Sequence, residues 1–89
     1  MVSISNLRIL ILDDEKLVRD ELEEFLIDPN FRIFKAGSPS EAFDIMDKNE
    51  IHIAIIDVNL PEMNGLDVLE KVKHDFPEIE VIMISGYSE

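Results

Sequence analysis

The sequence predicts an α/β domain built on a doubly wound parallel sheet, and three observations carry that prediction. Four short apolar runs alternate with three longer stretches of helical period, the pattern of consecutive βαβ units. The first and third runs are nearly continuous in Ile and Leu, as strands buried on both faces require. Acidic residues close those same two runs: Asp13 and Asp14 after Leu7 to Leu12, and Asp57 after Ile51 to Ile56. With 89 residues the chain is sized for one domain, read as 1–89, and it contains no repeat, linker or low-complexity stretch.

The elements follow in order. The first strand is expected over Leu7 to Leu12. Leu17, Val18, Leu22, Phe25 and Leu26 then recur at helical spacing among Glu21, Glu23 and Glu24, predicting an amphipathic helix that Asp28-Pro29-Asn30 stops. Phe31 to Ala36 is the second strand, and Arg32 and Lys35 mark it as an edge. Ser38-Pro39-Ser40-Glu41 is a capping box, with Ser as N-cap and Pro at the first helical position, opening a helix whose apolar stripe is Ala42, Phe43, Ile45 and Met46. The third strand is expected over Ile51 to Val58. A third helix starts near Gly65, is expected to bury Leu66, Val68, Leu69 and Val72, and leaves at Pro77. Ile79 to Ser85 is the fourth strand.

Handedness orders these pieces. Crossovers between parallel strands are right-handed, so in the doubly wound order 2-1-3-4 the first helix lies on one sheet face and the other two on the opposite face. Four strands about 4.8 Å apart make a sheet some 19 Å wide, whereas one helix covers about 10 Å of it. The first helix therefore leaves half of its face uncovered beneath strands three and four, and the fourth strand presents an open edge.

Composition excludes several classes of function. The net charge of -12 repels nucleic acid and anionic membrane and suits cations or basic partner surfaces. No cysteine is present, so neither a disulfide nor a thiolate metal site can form. No stretch approaches the roughly 18 apolar residues that span a bilayer, and Met1 to Leu12 lacks a basic segment ahead of its apolar run. A cytoplasmic location is the expectation. His52 and His74 lack any paired ligand spacing.

If the first and third runs are neighbouring parallel strands, Asp13, Asp14 and Asp57 meet outside their carboxyl ends, where an open α/β sheet binds ligands. Two unit charges of like sign roughly 5 Å apart repel by about 3 kcal/mol at an effective dielectric near 20, so the cluster calls for a cation or a proton. Taken alone, Asp13-Asp14 reads as a cap of the first helix. The loop Val58 to Gly65 is long for a βα turn: Pro61 stiffens it, and Asn64-Gly65 supplies positions that tolerate positive φ. Ser85-Gly86 is a turn signal that also puts a hydroxyl at the same sheet end, as a donor to an oxyanion.

Leu12-Asp13-Asp14-Glu15, the run Ile56-Asp57-Val58-Asn59-Leu60-Pro61-Glu62-Met63-Asn64-Gly65, and Ile82-Met83-Ile84-Ser85-Gly86 together resemble the receiver domain of two-component response regulators, in order and in spacing. The resemblance covers effectively the whole chain and implies a flavodoxin-like fold. It further implies that Asp57 is the phosphoacceptor for a sensor histidine kinase, a phosphotransfer protein or a small acyl phosphate. Asp14, Asp57 and the Asn59 carbonyl would bind Mg²⁺ directly and Asp13 through water, and Ser85 would donate to the arriving phosphoryl oxygen. Asn59 and Tyr87 stand where the family tunes dephosphorylation.

The family continues through a fourth helix, a fifth strand ending in a lysine and a fifth helix. None of these is present, so the sequence reads as a receiver truncated after the fourth strand, with impaired phosphorylation and switching. Lys16, Lys35, Lys48, Lys71 and Lys73 all read as surface or edge residues. The expected role is a phosphoacceptor and not a turnover enzyme. One alternative is an interaction module that self-associates or exchanges an element through its bare face and open edge. A metal-dependent phosphohydrolase is the other; it would want a second acid two residues beyond its nucleophile, where this chain has Asn59 after Asp57 and Glu15 after Asp13.

Overall fold

The structure, a computed structural model, describes residues 6–85. Its elements run β1 (Leu7–Leu12), α1 (Lys16–Phe25), β2 (Phe31–Ala36), α2 (Pro39–Lys48), β3 (Ile53–Asp57), α3 (Gly65–Asp75) and β4 (Glu80–Ile84). All pairings are parallel, and the strand order is β2-β1-β3-β4 as expected. In register, Leu12 lies beside Ile56 and Ala36, and Asp57 lies beside Ile84, so the carboxyl ends of the strands are level. The third and fourth strands are shorter than the apolar runs that announced them. Ile51 and Ile79 stay in the core just ahead of each strand without joining its ladder.

The two faces of the sheet are covered unequally. On one, α2 lies over β2 and β1 while α3 lies over β3. There Ala42, Met46, Val68 and Val72 close over Leu10, Leu12, Ala54 and Ile56 in a cluster of twelve buried residues. Val68 and Val72 are four apart, stack on one line of α3 and are fully buried, which contributes about 1.5–3 kcal/mol each. On the other face α1 alone covers a cluster of three buried residues, Ile9, Ile11 and Ile55. Ile53 and Ile84 are only half-buried there, and Ile82 is 50% exposed. The bare half-face predicted beneath β3 and β4 is thus present among the described residues.

The helices correct several sequence expectations. No residue of α1 is buried, and Leu17 and Phe25 are 75% and 86% exposed instead of facing the sheet. Val18, Leu22 and Leu26 lie four apart on one line, and Leu22 and Leu26 pack on the core; Leu17 and Phe25 each sit one residue, or 100°, off that line. Leu66 in the first turn of α3 is likewise exposed, while Val68 and Val72 are buried. The capping box of α2 forms as read: the Glu41 N–H donates to Ser38 Oγ at 3.2 Å. The Glu41 carboxylate reaches one residue further back than expected, accepting from the Gly37 N–H at 2.8 Å. β2 is an edge strand, with Arg32 over the Phe34 ring and Lys35 bonded to Asp20 and Glu23 of α1.

Candidate functional site

Two strands leave the sheet by the same device. Asp13 extends β1 by one residue, its N–H donating to the Ala36 carbonyl at 3.2 Å, and its Oδ1 then accepts the Glu15 N–H at 2.9 Å. Asp57 ends β3, and its Oδ1 accepts the Asn59 N–H at 3.0 Å. Each is an Asx turn, in which one carboxylate oxygen bends the chain out of the sheet and the other has no part in the turn. This corrects the reading of Asp13-Asp14 as a helix cap. The Asp13 carboxylate is engaged before the helix begins, and the N-cap is Glu15, whose side chain makes no capping bond.

Because β1 and β3 are neighbours, the turns converge. One carboxylate oxygen from each of Asp13, Asp14 and Asp57 lies within 4.8 Å of the other two. Asp13 and Asp57 are buried, at 1% and 6% exposure, and Asp14 is exposed at the mouth. Burial pushes the Asp13 carboxyl above its ordinary value of 3.8; the Glu15 N–H opposes this in part, and the negative charges of Asp57, Asp14 and Glu15 add to the upward push. Asp13 Oδ2 is buried without a hydrogen-bond partner. A buried anionic oxygen left unmatched among like charges costs free energy unless a cation or proton meets it. Hard carboxylate oxygens, with one open side at Asp14, fit Mg²⁺, which takes a few carboxylates and keeps its own waters.

The loop after Asp57 forms a wall of this site. Leu60 is buried, Asn64 Oδ1 accepts the Leu66 N–H at 2.7 Å to cap α3, and the Gly65 N–H closes on the Val58 carbonyl at 2.9 Å. Gly65 is required for a reason other than positive φ. Asn64 has φ -56, and no glycine among the described residues has positive φ. A Cβ on Gly65 would instead land on the Asp57 carbonyl oxygen and the Val58 Cα. The start of α3 is pressed against the backbone that carries Asp57.

Asn59 is exposed beside Asp57, and Ser85 is exposed one residue past the Ile84 that pairs with Asp57. Both stand at the same sheet end as the acidic trio. Gly86 and Tyr87 lie outside the described residues. Lys16, Lys35, Lys48 and Lys71 are each paired with surface carboxylates, and Lys73 is exposed in the last turn of α3. His74 is exposed beside Asp75, and His52 lies at the opposite end of the sheet, where its Nδ1 accepts the Arg8 N–H at 2.9 Å.

One group that the sequence did not single out reaches the loop. The Arg19 Nη1 donates to the Asp13 carbonyl at 2.7 Å. Its only sequence signal is a basic residue in the first half of the helix that follows the acidic pair.

Residues 9–89 match the family model of the response regulator receiver domain. The chain is 40% identical over 81 residues to the regulatory protein VanR of Enterococcus faecium, a match that spans 89% of the chain and 34% of VanR. It is 31% identical to sporulation initiation phosphotransferase F of Bacillus subtilis, over 94% of the chain and 68% of that protein. Among solved structures it superposes on the response regulator TrrA of Thermotoga maritima in complex with Mg²⁺-BeF with a TM-score of 0.83 at 28% identity, covering 91% of the chain and 70% of TrrA. A CheY-like receiver domain protein of Methanospirillum hungatei gives a TM-score of 0.84 at 29% identity, over 98% of this chain and 68% of that one. The chain thus spans about a third of VanR and about two thirds of these smaller relatives. A family match over nearly the whole chain, on a fold whose level strand ends gather the acidic residues, shows that the chain belongs to the response regulator receiver domains of two-component systems.

Proposed function

We propose that this receiver accepts a phosphoryl group on Asp57 from a phosphohistidine of a sensor kinase or phosphotransfer protein, or from a small acyl phosphate. The observation that carries this reading is the convergence of three carboxylates within 4.8 Å, one of which, Asp13, has a buried and partnerless Oδ2. A free Asp57 oxygen attacks phosphorus in line; a P–O bond to Asp57 forms as the donor's bond to phosphorus breaks, P–N in a phosphohistidine or P–O in an acyl phosphate, and the leaving nitrogen or carboxylate oxygen keeps the electron pair. Asp14, Asp57 and the Asn59 carbonyl would hold Mg²⁺, with Asp13 acting through water. The ion, when bound, neutralises charge on the phosphoryl oxygens and orients the attack. The Asx turn at Asp57 keeps one oxygen occupied and so leaves the other for attack, while the Ser85 hydroxyl would donate to a phosphoryl oxygen.

Transfer occurs once per site, so the chain is a phosphoacceptor and not a turnover enzyme, and a cytoplasmic location suits a partner that carries phosphohistidine. No lysine among the described residues faces the acidic trio, and the 89 residues alone are therefore expected to accept slowly. Incubation with acetyl phosphate and Mg²⁺, followed by intact-mass measurement, should show one phosphoryl adduct that is absent from Asp57→Asn. Acceptance by Asp57→Asn, or none by the wild type even with prolonged incubation, contradicts the reading.

A second reading is favoured by the exposed Ile82, Leu17 and Phe25 on the α1 side. The under-covered face and the β4 edge would then be closed by self-association or by an exchanged element. Light scattering on a concentration series decides it, because a monomer at every concentration removes this reading.

A further inference from the structure

We propose that Arg19 is a positioning residue for the acidic site: seated on Gly37, its guanidinium holds the Asp13 carbonyl and so fixes the direction in which the next residue, Asp14, enters the cluster. The inference rests on the proposed cation site and assigns a role to a residue outside it.

The peptide joining Asp13 to Asp14 is planar, so the Asp13 carbonyl oxygen and the Asp14 Cα move together. Asp13 itself is held from behind by its N–H to Ala36 and from its side chain by the Glu15 N–H. Asp14 is exposed, and among the described residues its carboxylate has no hydrogen bond to orient it. The remaining handle on the Asp13–Asp14 peptide is the carbonyl oxygen, and Arg19 takes it with a charge-assisted bond of 2.7 Å. Arg19 is a firm anchor, because it lies in the first turn of α1 with its own N–H bonded to the Glu15 carbonyl at 3.1 Å. The guanidinium is engaged with a backbone oxygen and not with a carboxylate, so it orders the loop without occupying the trio.

Gly37 completes the device from the other side. It follows β2, and a Cβ there would meet the Arg19 Nη1 at 3.1 Å and its Cζ at 3.6 Å. Its φ is not positive, so the backbone accepts alanine and the reason for glycine is room for the guanidinium. An added methyl meets only the flexible end of a side chain, which leaves the fold intact and shifts the group that holds Asp13.

The test is a Mg²⁺ titration of the 89-residue chain, followed on the backbone amide NMR signals of Glu15 and Asn59, with denaturation midpoints recorded without metal. Arg19→Ala should weaken Mg²⁺ by about tenfold, in the range of outer partners that orient metal ligands. Arg19→Lys should recover part of that loss, and Gly37→Ala should produce a smaller loss at an unchanged midpoint. The double variant should bind no more weakly than Arg19→Ala, since without the guanidinium the new methyl displaces nothing. Wild-type affinity in Arg19→Ala and Gly37→Ala overturns the positioning role and leaves the cation site standing, as do losses that simply add. A wild-type chain that binds no Mg²⁺ overturns the cation site and this inference with it. Should Arg19→Ala fail to fold, Gly37→Ala decides the matter alone.

Discussion

The two ends of the sheet are built from the same strands and treat polar groups in opposite ways. At the amino end, Arg8 and His52 exchange bonds: the Arg8 N–H donates to His52 Nδ1 and the His52 N–H to the Arg8 carbonyl, each at 2.9 Å. The Glu80 N–H reaches the His52 carbonyl at 3.0 Å, and Glu50 balances the Arg8 guanidinium at 3.6 Å. Charges of both signs are matched there. At the carboxyl end, charges of one sign are gathered, two of the three carboxylates are buried, and one oxygen has no partner. The amino end is finished by the chain itself, whereas the carboxyl end leaves a buried oxygen that a cation or a proton would match. The first end has its polar groups matched, and the second holds the groups that a ligand would have to match.

The largest expected effect is at Gly65. Alanine there forces α3 away from the Asp57 and Val58 backbone, costing about 1–3 kcal/mol in urea denaturation and weakening Mg²⁺ binding as well. Unchanged stability would show that the wall of the site is not tightly packed.

Asp13→Asn should act in the opposite direction. An acid whose folded value is raised stabilises the fold when protonated; that contribution is present below 3.8 and is lost as pH rises through the raised value. The ionised form of Asp13 is therefore a burden to the fold, and the neutral amide, which removes one of the crowded like charges, should raise the stability of the metal-free chain while reducing its Mg²⁺ affinity. A loss of metal-free stability would mean that the acidic end is not strained.

His52→Ala tests the other end. Removing the acceptor of the Arg8 N–H should cost about 1 kcal/mol in the same denaturation assay and leave Mg²⁺ affinity unchanged. Coupling between His52 and the metal would break the division between the two ends.

The smallest effect belongs to the surface network of α1 and β2. Hydrogen bonds from Lys16, then Lys35, hold the Asp20 carboxyl below its ordinary 3.8. The associated stability is present above that value and is lost as pH falls through the lowered one, so Lys35→Met should slightly flatten the acid limb of the stability profile. An identical acid limb would show that solvent screens the network completely.

Much of this was legible in the sequence because it depends on period and punctuation. Continuous Ile and Leu runs announced β1 and β3, Ser38-Pro39-Ser40-Glu41 announced α2, and the right-handed crossover rule put α1 alone on one face. The acidic trio followed from the strand order. What the sequence hid depends on angle and contact. Five apolar positions in α1 and its C-cap do not reveal that Leu17 and Phe25 fall outside the arc that a single helix turns toward the sheet. Gly65 reads as a turn residue until the Asp57 backbone is found against it. An Asp beside a helix start can cap the helix or turn the strand, and only the Glu15 N–H shows which. Arg19 carries no motif, since its partner is a carbonyl, and every residue has one.

The central claim is that the carboxyl end of the sheet is left incomplete for a divalent cation. Its most direct test is the unfolding free energy of the chain at increasing Mg²⁺, with ionic strength held constant by NaCl. A ligand that binds only the folded state should raise stability in proportion to the logarithm of its concentration above its dissociation constant, and this rise should vanish in Asp13→Asn combined with Asp57→Asn. A wild-type stability indifferent to Mg²⁺, or a rise that persists in the double variant, would contradict it.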